Sequence, residues 1–98
     1  MAGSSFSEYL AAANKREELS EREKAFIGLA VTMSRGCEPC SIGRIQRALN
    51  AGISRRDLEA AMDLIAAVNA GVVQAIARRG WEQVSTEEAC TTCEPVAR

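Results

Sequence analysis

Four cysteines stand in two pairs, Cys37-Glu38-Pro39-Cys40 and Cys90-Thr91-Thr92-Cys93, each with two residues between the thiols. Thiols at this spacing close a small disulfide ring. The first pair follows Gly36 and precedes a helical pattern. It is therefore placed at a helix N-terminus, where unpaired amides and the positive end of the macrodipole favour a thiolate, most directly at Cys37. Arg35 and Arg44 add positive charge nearby, and Glu38 opposes it. Such a pair cycles between dithiol and disulfide: an external thiolate opens the ring and an oxidant closes it. The plainer reading is a pair of small buried apolar side chains. The chain has no histidine, so no imidazole serves as acid or base.

The second pair lies in a tail that follows the helical pattern. Cys90 and Cys93 read as a relay that exchanges disulfides with Cys37 and Cys40 in the same or a neighbouring subunit, since exchange needs one sulfur to approach another in line. A four-thiolate zinc centre built from both pairs is an alternative. The 49 residues between the pairs are long for a zinc ribbon. An incidental exposed pair is the third reading. Glu87, Glu88 and Glu94 surround these thiols with negative charge, which disfavours their thiolates.

The elements that must position the first pair are helices. Ser4 or Ser5 starts a short one through Tyr9, Leu10 and Ala11–Ala13, and Asn14-Lys15-Arg16-Glu17 is read as exposed. Ser20-Glu21-Arg22-Glu23 is a capping box, with Glu23 reaching back to the Ser20 amide. The helix it opens is apolar on nearly every side from Phe26 to Met33, which predicts a buried central helix stopped by Gly36. Gly28 inside it costs about 1 kcal/mol against alanine unless something packs closely there. Pro39 suits the first turn of the next helix. There Ile42, Ile45 and Leu49 recur at helical spacing until Gly52, with Ile53 as the apolar residue past a glycine cap. Ser54 caps the longest helix, whose stripe runs through Leu58, Met62, Ile65, Val68, Val72 and Ile76. Asn69-Ala70-Gly71 is read as a bend or an interruption, and Gly80 as its end after Arg78 and Arg79. Ser85-Thr86-Glu87-Glu88 reads as a further capping box. Trp81 reads as an anchor for the chain end or a subunit interface.

Composition agrees with this outline. At 98 residues the chain is read as one domain over 1–98, with a core over about 19–80 and a tail over 81–98 that carries the second cysteine pair. A chain this short buries only roughly 60–65% of its unfolded surface, which leaves it marginal alone. Alanine is abundant, aromatics are 4% and only two prolines occur, which reads as all-α. The net charge of −1 supplies no global field toward nucleic acid or an anionic membrane. No secretory signal is visible at Met1, and the apolar run Ala25 to Met33 is too short to span a bilayer. The expected setting is cytoplasmic, where C-x-x-C pairs serve redox or metal chemistry more often than structural stapling.

Between Leu19 and Gly80 the chain resembles the AhpD-like group of the carboxymuconolactone decarboxylase superfamily. The likeness rests on Leu19-Ser20, Phe26-Ile27-Gly28-Leu29-Ala30-Val31, Gly36-Cys37-Glu38-Pro39-Cys40, Ala48-Leu49-Asn50-Ala51-Gly52 and Leu58-Glu59-Ala60-Ala61, about two-thirds of the chain. It implies an antiparallel all-α domain that assembles as a homo-oligomer, trimeric or hexameric. It also implies a thiol-disulfide oxidoreductase, with peroxidase activity in some members, that works with a thiol or disulfide partner protein. Cys37 and Cys40 carry over as the catalytic pair. Redox members usually place a histidine four residues after the second cysteine and a glutamate about twelve before the first. Those positions are Arg44 and Ala25 here, with Glu23 half a turn earlier. Arginine exchanges no protons at neutral pH but holds a thiolate by charge. Arg44 and Glu23 are therefore supporting candidates. The resemblance is to the cysteine-bearing branch, and without histidine it does not imply decarboxylation.

Two other functions fit parts of the pattern. A helix-turn-helix DNA binder would use Ala48 to Ser54 as its turn and Arg44, Arg47, Arg55 and Arg56 on phosphates. The helix after that turn is too long for a recognition helix, and its basic residues are confined to its ends. A non-catalytic assembly or cargo protein is invited by the missing relay. The expectation is a protein with no cofactor, no resident metal, and neither nucleic acid nor membrane among its partners.

Overall fold

The structure, a computed structural model, describes residues 5–86, and the side chains of residues 5–84. Cys90 and Cys93 lie outside the described residues. Among those described there are four helices and no strand: α1 (Phe6–Asn14), α2 (Glu21–Ser34), α3 (Glu38–Asn50) and α4 (Arg55–Thr86). The chain divides into two compact units, one ending at Ile65 and one beginning at Ala66.

The helix starts follow the local chemistry. Ser5 caps α1 in a capping box with Glu8. Ser20 caps α2: its hydroxyl accepts from the Glu23 amide at 3.0 Å, and its own amide donates to Glu23 Oε1 at 2.8 Å. Ser54 Oγ accepts from the Asp57 amide at 3.1 Å at the start of α4.

The helix ends are set by two glycines in the left-handed region, Gly36 at φ 73° and Gly52 at φ 93°. At each, the glycine amide donates three residues back and the next amide donates five residues back. The bonds are Gly36 to Met33 and Cys37 to Thr32, then Gly52 to Leu49 and Ile53 to Ala48. Both are Schellman motifs, which close the last carbonyls of α2 and α3 and turn the chain sharply.

In the first unit Leu29, Ala48, Ile53 and Leu58 are buried, with Ala25, Phe26, Met33, Ile45, Met62 and Ile65 packed around them. α2 packs chiefly against α3. The expected burial of α2 on all sides is not found. Leu29 is its one buried residue, whereas Ile27 and Val31 are about half exposed, at 51% and 52%. An apolar helix needs a neighbour on each side to be buried all round, and α3 and the start of α4 cover only one side.

An interruption at Asn69-Ala70-Gly71 and the Gly80 stop are also corrected. α4 runs unbroken through both to Thr86. Each glycine costs a helix only about 1 kcal/mol, which the flanking helix formers outweigh. Ser85 and Thr86 are helical residues of α4, and Glu87 and Glu88 of the expected capping box lie outside the described residues. Over Arg55–Val84 this helix is long and apolar enough to cross a membrane by length and composition, a possibility that the shorter Ala25 to Met33 run did not raise. Trp81 is 74% exposed.

Arg22 ties α2 to the start of α4. Its guanidinium donates to Asp57 at 2.8 Å and lies 4.9 Å from the centroid of the Phe26 ring. The hydrogen bond from Arg22 is the main reason the Asp57 carboxyl is held below its ordinary range. Glu23 is held down by the Ser20 amide, and Glu18 is lowered to about 2 by Arg16. All three bind protons less tightly folded than unfolded. Their contribution is present above the ordinary carboxyl values, 4.5 for glutamate and 3.8 for aspartate, and is lost as pH falls through the folded values. Urea midpoints should therefore drop on acidification below about pH 4.5, and Asp57→Asn should flatten part of that slope. An equal slope in the variant would remove the Arg22–Asp57 pair from the account.

Candidate functional site

The first cysteine pair occupies a junction that the two neighbouring helices define together. Cys37 is the last residue of the Schellman turn that ends α2, its amide donating to Thr32 at 2.9 Å. It is also the N-cap of α3, in extended conformation. Glu38 and Pro39 open the helix, and Cys40 falls in its first turn. One left-handed glycine, one N-cap and one early proline thus put both sulfurs at the positive end of α3.

Cys37 and Cys40 are joined in a disulfide, with Cα atoms 5.4 Å apart, a usual span for such a bond. The two sulfur-bearing residues differ in access: Cys37 is half-buried, whereas Cys40 is exposed. Cys37 makes no side-chain capping bond, so the first amides of α3 are not engaged by its sulfur in the oxidised form.

A pair of hydroxyls absent from the sequence reading stands by the Cys37 carbonyl. Ser41 is buried, 8% exposed, and its Oγ lies 2.8 Å from the Cys37 carbonyl and 3.2 Å from Thr32 Oγ1. Thr32 donates in turn to the Leu29 carbonyl at 3.2 Å. The single Ser41 proton goes to the nearer acceptor, the Cys37 carbonyl, which pins the N-cap residue from inside the helix. Serine four residues after a helix-starting cysteine was the available signal, because serine bonds back to the carbonyl four residues earlier. Ser41→Ala should destabilise the protein by about 1 kcal/mol and speed reduction of the disulfide by dithiothreitol. Unchanged reduction kinetics would make Ser41 a packing residue only.

The supporting candidates are placed as follows. Glu23 caps α2 through Ser20 and is held in its anionic form there, which makes it a weak proton acceptor at neutral pH. Arg44 stands one turn beyond Cys40 on α3, half-buried, and its guanidinium lies directly over Gly28 of α2. That close packing is what the glycine inside α2 permits. Arg35 is the C-cap of α2 and is exposed. Among the described residues no group of three or more histidine, cysteine or carboxylate side chains is gathered to hold a metal ion.

The family model for the carboxymuconolactone decarboxylase family matches residues 2–82. No curated protein and no solved structure matches the chain.

Proposed function

The chain belongs to the carboxymuconolactone decarboxylase family, and on that premise we propose that it is an AhpD-like thiol-disulfide oxidoreductase whose working group is the Cys37–Cys40 disulfide. The observation that carries this reading is the pair's placement: a closed disulfide at the N-terminus of α3 with one exposed residue and one half-buried residue.

Access and leaving-group chemistry assign the steps. The thiolate of a partner protein attacks Sγ of Cys40, the more exposed residue of the two, and the Cys37–Cys40 bond breaks. Cys37 leaves as a thiolate, stabilised by the amides and dipole at the start of α3. A second partner thiolate attacks the mixed disulfide, releases Cys40 and departs as the partner's disulfide. Cys37 and Cys40 take up their two protons from water, because no histidine is present. Reoxidation runs through a disulfide of a second protein, or through a hydroperoxide. In the latter case one thiolate attacks the terminal peroxide oxygen, the O–O bond breaks, the alcohol (water, for hydrogen peroxide) leaves, and the sulfur becomes a sulfenic acid; the other thiol then attacks that sulfur, the S–O bond breaks and water leaves, restoring the disulfide. Arg44 adds fixed positive charge one turn along the helix. Cys90 and Cys93 are the proposed relay, accepting or delivering the electron pair by the same exchange.

We also propose a homo-oligomer, trimeric or hexameric, in the cytoplasm. Leu64, Val68, Val72 and Ile76 recur every four residues on α4, and each is more than half exposed. Such a stripe needs cover. The uncharged run from Leu64 to Ala77 is 14 residues, about 21 Å of helix. Although the helix as a whole is long and apolar enough to cross a membrane, this uncharged run is shorter than a hydrocarbon core of about 30 Å, and protein is the cover we propose. Val72→Asp should convert the assembly to monomer in sedimentation velocity. A monomeric wild type would reject the assembly.

The decisive test of the redox reading is turnover of a protein disulfide with a thiol reductant, combined with mass mapping of the disulfides before and after. Catalysis with Cys37–Cys40 alternating between linked and free supports it. An inert wild type sinks it and leaves a non-catalytic assembly protein. Stoichiometric zinc release on oxidation would instead favour the four-thiolate centre.

A further inference from the structure

A second feature of the first unit lies away from the disulfide. A cleft of about 570 Å³ opens between the N-terminal turns of α2 and the C-terminal half of α3. Four cationic side chains line it, Arg22, Lys24, Arg44 and Arg47, against one carboxylate, Glu21. Its apolar floor is made by Ala25, Ala48 and Ile53. Two of the cations are already neutralised. Arg22 is paired with Asp57, and Lys24 with Glu21 at 3.1 Å.

The other two cations have no carboxylate partner among the described residues. Arg47 donates through Nε to the Gly43 carbonyl at 3.3 Å, which leaves its terminal nitrogens available. Arg44 is half-buried and seated on Gly28, where a Cβ would lie 2.6 Å from its Cζ. The seat is specific to glycine, and it holds the guanidinium in one place at the edge of the cleft. Lys24 is likewise fixed, only 13% exposed, with Nζ donating to the Asn14 carbonyl at 2.7 Å.

Guanidinium groups held in place with free donors match the paired oxygens of a carboxylate or phosphate. The N-terminal turn of α2 adds the positive end of its dipole. The opposite wall ends in the Schellman turn at Gly52, whose bonds from Gly52 and Ile53 already engage the Leu49 and Ala48 carbonyls. Because the protein as a whole carries a net charge of −1, an anion attracted here responds to this local cluster and not to a general field.

We propose that this cleft is a binding site for a small oxyanion, a phosphate or a carboxylate, gripped by Arg44 and Arg47 with Arg44 pre-positioned by Gly28. The cleft has no cysteine in its lining but shares Arg44 with the thiol site, so its test reads binding rather than turnover.

The test is calorimetric titration of the full chain with inorganic phosphate and, separately, with succinate, at low and at physiological ionic strength. Saturable binding of one probe per chain, weakened by salt, is expected; the tighter probe identifies the head group. Arg44→Gln and Arg47→Gln should each weaken binding at least about tenfold, the usual weight of a charge-assisted hydrogen-bond pair. Arg55→Gln, an exposed cation engaged with Glu59 at 2.8 Å, should leave it unchanged. Gly28→Ala is the sharper variant. It substitutes no cleft residue but displaces the Arg44 guanidinium, so it should weaken binding while thermal stability is kept or raised. Absence of binding by either probe would overturn the proposal, as would equal affinity in Arg44→Gln. Undiminished affinity in Gly28→Ala would remove the glycine seat from it.

Discussion

Replacement of either Cys37 or Cys40 by serine is expected to abolish disulfide exchange, and the two variants are expected to fail differently. The Cys37–Cys40 bond is the only disulfide among the described residues. An exchange cycle needs both sulfurs, one to be attacked and one to leave. In Cys37→Ser the remaining thiol is the exposed Cys40, which has lost its partner within the C-x-x-C pair. A mixed disulfide with a partner or with glutathione should therefore accumulate there. In Cys40→Ser the remaining thiol is the half-buried Cys37 at the N-cap of α3. Its environment favours the thiolate, but its access is poorer, so mixed disulfides should form more slowly. Trapping each variant with an oxidised thiol reagent, followed by mass analysis, measures the difference. Faster trapping at Cys37 would reverse the order of attack. Retained turnover in both variants would transfer the chemistry to Cys90 and Cys93.

Leu29→Ala should be the most damaging single change to the fold. Leu29 is 1% exposed and is the largest side chain that is fully buried. It stands on α2 where Ala48, Ile53 and Leu58 meet it. Truncating such a residue costs about 2–5 kcal/mol, against a total of about 5–15 kcal/mol for a domain. For a chain of this size that corresponds to a Tm lower by roughly 10–30 °C, measured at fixed protein concentration. Leu58→Ala, at 2% exposure, belongs in the same range. Gln46→Ala on the exposed side of α3 should stay within about 0.5 kcal/mol. A loss under about 1 kcal/mol at Leu29 would mean that this cluster is not the cooperative core. The size of the effect follows from how few residues are fully buried in the first unit.

Residues that act on their own backbone were legible from the amino-acid order. Ser20 with Glu23, Ser54 with Asp57, and the glycines at 36 and 52 make bonds spanning three to five residues, and all form as their spacing predicts. The cysteine pair at the start of α3 was legible for the same reason, since its position depends on Gly36 and Pro39. Residues that act across helices were not. The approach of Ser41 to Thr32 is one case. Ser41 Oγ lies 3.2 Å from Thr32 Oγ1, nine residues away on another helix, and nothing in the order brings them together. Gly28 looked like a flaw costing helix stability, until Arg44 was found seated on it.

The sequence by itself determined where the helices begin, where α2 and α3 end, and that two thiols stand at a helix N-terminus, because those features are short-range backbone chemistry. It misjudged the length of α4, since a glycine in a long run of helix formers costs less than the run returns. Only the tertiary structure decided which face of α2 is buried and which of the two cysteines is exposed. It alone decided that Arg44 turns toward α2 to join Arg47 at a cationic cleft. Those outcomes depend on which helix surfaces meet. The same 3–4 spacing of apolar residues serves equally for a face against α3, a face against a second subunit, or a face left in water.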